Sequence, residues 1–579
     1  MKKKQFLKTT FLALVLTLGG ASTAWADEVS VTTAAEFGTA YTNAIKSDAA
    51  DETTIIMAAG TYDASETGLR WTQMEIPYKS VIVKAADGAD VTLKIKVRSY
   101  ETDRNGSLTF DGIKLLSTDA NGFIDLGSNS ANMGDIIFKN CEITATSDNK
   151  LNRCLITGGS NTADAYGTIN SIQFDNCTIH DLGTSYNFIY TTKIVKAVSV
   201  TNSTLYNYGG ESLFFARTAS TDLAFSFTFT NNTVYRWAKV DSRRAFAFVG
   251  SNYSSSSTYT FKDNIIDGFM SDGSNAYVEN MTVNNDYFVL VQTGKGGTID
   301  IENNILLGFK NGEGSNKNNV VWATGSPVIT NTNYWPWDKT LNVAFGFTTI
   351  PFTDAANGDF TINLNSYPAF ATASTVGTPL GAPSTWKYTW NSGAAKAGTL
   401  ILPYEANIPE GVSAYTLTYT SGSSASATEI TNGILPANNP VLLNAETAST
   451  PYVFTSTGVV PDAAPADLVE GAMHGTYSSA TLTSASNAYV LQNGGDGLGF
   501  YKVGATDITV PAYRAYLVAQ GEAHVLTIDF GNGDVTSIRE IANSQKPLAN
   551  SQYYDLQGRK VAQPTKGLYI VNGKKLIIK

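Results

Sequence analysis

The segment Arg236–Phe246, RWAKVDSRRAF, crowds four cationic side chains and one aspartate into eleven residues of a 579-residue chain whose net charge is −10. An arginine fork can bond both oxygens of a carboxylate. A lysine or arginine with cationic neighbours has its pKa lowered towards the range of a general base. The chemistry on offer is capture of an anionic group and abstraction of a proton beside it. The competing reading is a solvated turn, in which surface ion pairs contribute about 0–1 kcal/mol each.

The elements that must position these residues come from a repeat. From residue 108 the pattern LTFDGIKL, IIFKNCEI, IQFDNCTI, VSVTNSTL, FTFTNNTV, YTFKDNII, IDIENNIL and PVITNTNY recurs, with a polar corner at Gly112, Asn140, Asn176, Asn202, Asn231, Asp263, Asn303 and Asn331. The intervals run from 26 to 40 residues, which suits coils with one fixed corner and variable loops. Helical periodicity is absent, so the pattern predicts a right-handed parallel β-helix. Asparagine tolerates the left-handed backbone of a tight corner, and its amide can bond to the coils above and below. Triplets such as Asn202-Ser203-Thr204 therefore read as structural rather than as glycan acceptors.

A second strand is expected after each corner, in FIDLG, RCLIT, NFIYT, LFFAR and RAFAF. Stacking these runs puts Arg153, Asn187, Ser212 and Arg244 in one column, with Asn152, Tyr186, Glu211 and Arg243 in the column before it. Coils lie about 4.8 Å apart, so Glu211 and Arg243 are expected as neighbours. Arg217 ends the intervening strand, and Lys239 with Asp241 lies in the preceding loop. Ahead of the first corner, TLKIKVRS reads as one strand with Lys94, Lys96 and Arg98 on its wet face.

Near residue 30, AAEFGTAYTNAIKSDAADETTIIMAAGTYD reads as a short capping helix, a strand and a turn that close the apolar end of the stack. Its Ala44-Ile45, Ile55-Ile56 and Gly60-Thr61-Tyr62 resemble the start of the secreted polysaccharide-lyase β-helices of the chondroitinase B and alginate lyase type. The resemblance covers roughly residues 30–370 and reports fold more than activity. The closing segment FTDAANGDFTINLNSYPAF is similar to that of pectate-lyase-like β-helix proteins of gut Bacteroidetes.

The resemblance implies β-elimination on a uronic-acid polymer, with calcium or an arginine neutralising the sugar carboxylate and a lysine or arginine taking the proton. Carried onto this chain, Lys239 or Arg244 is the base and Arg153 and Arg217 are the carboxylate clamps, with Arg243 beside them. Glu211 and Asp241 are orienters or calcium ligands. Tyr186, Tyr190, Phe246 and Phe248 offer stacking faces for sugar rings where they point outward. His180, alone beside a turn, reads as a hydrogen-bonded structural residue. Trp335 and Trp337 offer faces for sugar binding or, the favoured reading, close the end of the stack. No acidic pair stands out for a hydrolase.

The remaining chain bounds this reading. MKKKQFLKTTFLALVLTLGGASTAWA reads as an export signal over residues 1–26, cut after Ala24-Trp25-Ala26. No later stretch approaches the roughly twenty apolar residues that span a bilayer. Loss of Lys2, Lys3, Lys4 and Lys8 takes the net charge from −10 to −14, which argues against a nucleic-acid partner. Cys141 and Cys177 sit at equivalent repeat positions, so a bridge and a buried stack of free thiols both remain open.

The β-helix with its cap is expected over 27–382, and an all-β sandwich-like accessory domain over 383–533. Residues 534–579 hold a linker and a small β-domain. There Tyr554-Asp555-Leu556, Gly558-Arg559-Lys560-Val561, Gly567-Leu568-Tyr569-Ile570 and Lys574-Lys575 closely resemble the C-terminal sorting domain of the type IX secretion system. That resemblance implies a secreted or surface-displayed protein. Two functions follow from the whole: a polysaccharide lyase acting on an acidic glycan, or a non-catalytic adhesin that binds one.

Overall fold

The computed structural model describes residues 27–530 and four strands between 553 and 578, apart from intervening segments, of which the longer are 159–166, 217–222, 238–244, 268–286, 308–320 and 334–349. Seven of the eight predicted corner residues, Gly112, Asn140, Asn176, Asn202, Asn231, Asp263 and Asn303, have φ between 52° and 69°. Only glycine enters that region without steric cost, and Asn and Asp enter it more readily than other residues. The eighth, Asn331, instead lies inside the strand Val328–Asn333, where the pairing with the preceding coil shifts register.

These corners wind the chain into a parallel β-helix of three sheets. The first has eleven strands and carries the run before each corner, such as Met133–Lys139, Thr168–Asp175 and Ile194–Thr201. The second has nine and carries the run directly after it, such as Glu142–Thr144, Thr178–Gly183, Thr204–Tyr208 and Thr233–Trp237. The third also has nine, and carries Ile124–Asp125, Ile156–Gly158, Asn187–Thr191, Ser212–Ala216 and Ala245–Val249. Each coil thus has a strand between the two that the repeat suggested. TLKIKVRS shows why it was hidden: Val91–Ile95 belongs to the second sheet and Val97–Arg98 to the third. Lys96 is the corner between them, and it is buried, not wet; its ammonium is paired with Asp119. Alternation of apolar and polar residues continues through such a bend, so the pattern by itself does not mark it.

The interior is stacked coil on coil. Phe110, Phe138 and Phe174 lie face to face with centroids 5.6 and 4.7 Å apart. Each such fully buried side chain contributes about 1.5–3 kcal/mol of transfer free energy. Cys141 and Cys177 are free and buried in consecutive coils, which resolves their pairing in favour of the stack. One residue past the left-handed corner, Ser203, Asn232, Asn264 and Asn304 are wholly buried. Asn232 Nδ2 donates to Asn264 Oδ1 at 3.1 Å, and Asn264 Nδ2 to Asn304 Oδ1 at 2.7 Å. In these coils the amide ladder and the left-handed corner are therefore neighbouring residues with divided duties.

The N-terminal end is closed by the helix Ala34–Ala44, which buries Phe37 and Tyr41 on the first coils. Thr33 caps it by accepting the Glu36 N–H at 3.2 Å, and Glu36 Oε2 accepts the Thr32 N–H at 2.7 Å, a reciprocal arrangement that satisfies donors at the helix start. At the other end the chain turns back along the side of the stack. Thr375 donates its backbone N–H to Asp263 Oδ1 at 2.8 Å, Gly381 N–H reaches the Asp263 carbonyl, and Ala382 N–H reaches Thr233 Oγ1. Phe360 packs on Tyr206 and Tyr235. Each described contact of residues 350–530 with the coils named here falls on the second sheet or its corner with the first.

Beyond this strap, Lys387–Asp529 forms mainly antiparallel sheets, the largest of ten strands and another of four. The strands Tyr553–Tyr554, Lys560–Val561, Gly567–Val571 and Lys574–Ile578 make a separate four-stranded antiparallel sheet. No helix among the described residues is long and apolar enough to cross a membrane.

Candidate functional site

Of the residues that the sequence singled out, Arg153, Glu211, Arg217, Lys239, Asp241, Arg243 and Arg244 lie outside the described residues, as do Tyr186, Trp335 and Trp337. Tyr190 is described. The strands that border them in sequence, Ile156–Gly158, Asn187–Thr191, Ser212–Ala216 and Ala245–Val249, are four consecutive strands of the third sheet. Their register keeps Asn187 opposite Ser212, as the sequence suggested, but differs from the suggested column at the strands on either side. Ile156 pairs with Ile189 and Phe214 with Ala247, each one residue away from the alignment that put Arg153 opposite Asn187 and Arg244 opposite Ser212. A one-residue slip exchanges the two faces of a strand, and loops of unequal length hide it from the sequence.

The observed register defines a continuous row across this sheet. It runs Arg98, Asp125, Thr157, Tyr190, Phe215, Phe248, Leu290, Trp322. Where the row can be followed by exposure, Asp125, Thr157 and Tyr190 are half-buried, while the adjacent Ile124, Ile156 and Ile189 are in the core. The row therefore belongs to the outward face at that end. It is charged at its start: Lys96 Nζ lies 3.9 Å and Arg98 Nε 3.7 Å from Asp125 Oδ2. From Tyr190 onward its positions are aromatic or aliphatic. Successive coils are about 4.8 Å apart, close to the length of one sugar unit, so a row along the axis can meet successive rings of an extended chain.

The second sheet carries a different cluster. His180 Nδ1 is 2.8 Å from Asp181 Oδ2 and its Nε2 is 3.2 Å from Glu142 Oε1. Lys114 Nζ reaches the same Glu142 oxygen at 2.6 Å, and the imidazole stacks on Tyr206 at 4.8 Å. Burial opposes the charge on His180, but hydrogen bonds to the two carboxylates outweigh it and hold its pKa above the ordinary value. The His180 hydrogen bond, against partial burial and with help from Lys114, holds Glu142 down at about 2. Asp181 and Asn207 adopt left-handed backbone here, and Asn207 Nδ2 donates to Asp181 Oδ1 at 3.1 Å. With both ring nitrogens engaged and Phe360 packed on Tyr206 nearby, the cluster ties coils together. The expected structural role of His180 is what its contacts describe; the sequence pattern held no signal for Glu142, a full coil away.

Among the described residues no group of three or more His, Cys, Asp and Glu side chains is arranged to hold a metal ion. Lys193 is a further feature that the sequence did not mark. It lies three residues after Tyr190, between the third sheet and the first, and burial lowers its pKa to about 8.

No family model matches the chain, and no characterised protein or solved structure is similar to it at a significant level. The function therefore has to be read from the site alone.

Proposed function

We propose that this is an exported β-helix protein that binds an acidic polysaccharide along the outer face of its third sheet. The observation that carries the reading is the row from Arg98 through Tyr190 to Trp322, aligned with the helix axis over eight coils. Tyr190, half-buried on this row, suits the apolar face of a sugar ring. Arg153, Arg217, Arg243 and Arg244 adjoin strands of this sheet in sequence, and support a preference for carboxylated or sulfated units. The strap at 350–386 lies on the second sheet, which supports the third as the binding face.

The finer reading is a lyase in which Lys239 or Arg244 takes the proton, Arg153 and Arg217 hold the sugar carboxylate, and Glu211 and Asp241 orient the cations or hold calcium. The sequence proximity of these residues to adjacent strands favours it. The export signal and the C-terminal segment support release or display at the outer cell surface through type IX secretion.

One experiment separates the readings. The purified protein is incubated with pectate, alginate, chondroitin sulfate and neutral dextran, with and without calcium, and followed by affinity electrophoresis and by ultraviolet absorbance of the unsaturated product. Retardation by an acidic glycan with no absorbance supports an adhesin. Absorbance that is abolished in Lys239→Ala or Arg244→Ala supports the lyase; absorbance that survives both changes rejects the assigned base. No retardation by any acidic glycan rejects the binding function.

A further inference from the structure

Trp71 is the most exposed aromatic side chain among the described residues, with 55 % of its surface open to solvent. Exposure of one aromatic side chain needs no explanation by itself, but three other observations converge on this one. Its backbone is left-handed, φ 53° and ψ 26°, and the next residue, Thr72, is left-handed too at φ 54°. Consecutive left-handed residues that carry a Cβ are avoided by L-amino acids, and a β-branched residue avoids that conformation most of all. Such outliers concentrate where a side chain must be held in a particular place.

The guanidinium of Arg70 lies 3.8 Å above the Trp71 ring. Stacking engages the flat face of the guanidinium and leaves its N–H edges in the plane, where they can fork onto two oxygens. Finally, the pair stands just ahead of Met74–Glu75, the strand at the N-terminal edge of the third sheet, in register with Val97–Arg98. The buried Leu69 and Met74 on either side anchor the segment, so the strained turn presents Arg70 and Trp71 outward from a fixed base.

We infer that Arg70 and Trp71 form a subsite for an acidic pyranose unit at the N-terminal end of the third sheet. The indole provides a surface for the sugar's C–H groups and the guanidinium a fork for its carboxylate or sulfate. This rests on the glycan-binding reading above and extends it to a stretch with no place in the predicted site.

The test compares wild type, Trp71→Ala, Trp71→Phe and Arg70→Gln by calorimetric titration with oligogalacturonate, chondroitin sulfate oligosaccharides and neutral dextran. Circular dichroism confirms that each variant is folded, as expected for exposed side chains. The expected result is a loss of acidic-glycan affinity of about tenfold in Trp71→Ala and Arg70→Gln, with Trp71→Phe nearer wild type. Unchanged affinity in both of the first two variants overturns the subsite and leaves the wider function standing. Loss in Trp71→Ala alone overturns the acidic part of the assignment. Absence of acidic-glycan binding by wild type overturns both readings together.

Discussion

The side-chain amide of Asn264 bridges three coils: its Nδ2 donates to Asn304 Oδ1 at 2.7 Å while its Oδ1 accepts from the Asn232 backbone N–H at 2.9 Å. The same Nδ2 also donates to the Phe229 carbonyl at 2.8 Å, and Asn264 is wholly buried. Removing the amide leaves several buried polar groups without partners, each worth about 1–3 kcal/mol. Asn264→Ala is therefore expected to lower stability by about 3 kcal/mol or more, read from the urea midpoint. Asn202, at the half-buried corner position, where its Nδ2 donates to Asp175 Oδ1 at 2.7 Å, provides the contrast. Asn202→Gly keeps the left-handed corner and is expected to cost far less than Asn202→Val, which is held in that conformation at a penalty of roughly 1–2 kcal/mol or more.

The His180 cluster predicts a pH window for stability. His180 has its pKa raised from 6.5, so its contribution is fully present below pH 6.5 and is lost as pH rises through the higher folded value. Glu142 is lowered from 4.5 to about 2. Its contribution is present above pH 4.5 and fades as pH falls towards 2. The difference in denaturation midpoint between wild type and His180→Gln is expected to be largest between these limits and to shrink on either side. A difference that is flat from pH 3 to pH 9 contradicts the assigned charges.

Asp263 links the stack to the strap. Burial raises its pKa, while hydrogen bonds from the Thr375 hydroxyl and N–H act against that rise. Asp263→Ala removes the acceptor for both donors and also places a less tolerant residue at φ 58°. The expected result is earlier cleavage near residues 374–382 in limited proteolysis, with the coils at 110–200 remaining protected. Thr375→Val is expected to produce a weaker form of the same effect, because only the hydroxyl donor is lost.

The buried thiols give a chemical test of the stack. Burial, reinforced by Cys141, pushes the Cys177 thiol well above its ordinary pKa. A protonated thiol without solvent access is a poor nucleophile. Cys141 and Cys177 are expected to resist alkylation in the folded protein and to react fully in denaturant, as read by peptide mass spectrometry. A disulfide between them in the purified protein contradicts the arrangement described here.

What the sequence determined by itself was local. Left-handed corners demand Gly, Asn or Asp, so the backbone of seven corners was legible from residue type and recurrence alone. The capping helix was legible in the segment that begins at Ala34 because a helix is set by neighbours within one stretch of chain, while its Thr33 cap came from the structure. Tertiary structure decided what depends on partners in other coils. The division of TLKIKVRS between two sheets at Lys96 needed Asp119 opposite it. The choice of Asn232, Asn264 and Asn304 for the buried ladder depended on which amide points inward. The row through Tyr190 depended on loop lengths that slip the register by one residue and so exchange inside for outside. The strap on Asp263 joins residues more than a hundred positions apart. Backbone preference is a property of one residue and its neighbours, whereas register, burial and docking are set by contacts between coils, and a single sequence does not state which coils meet.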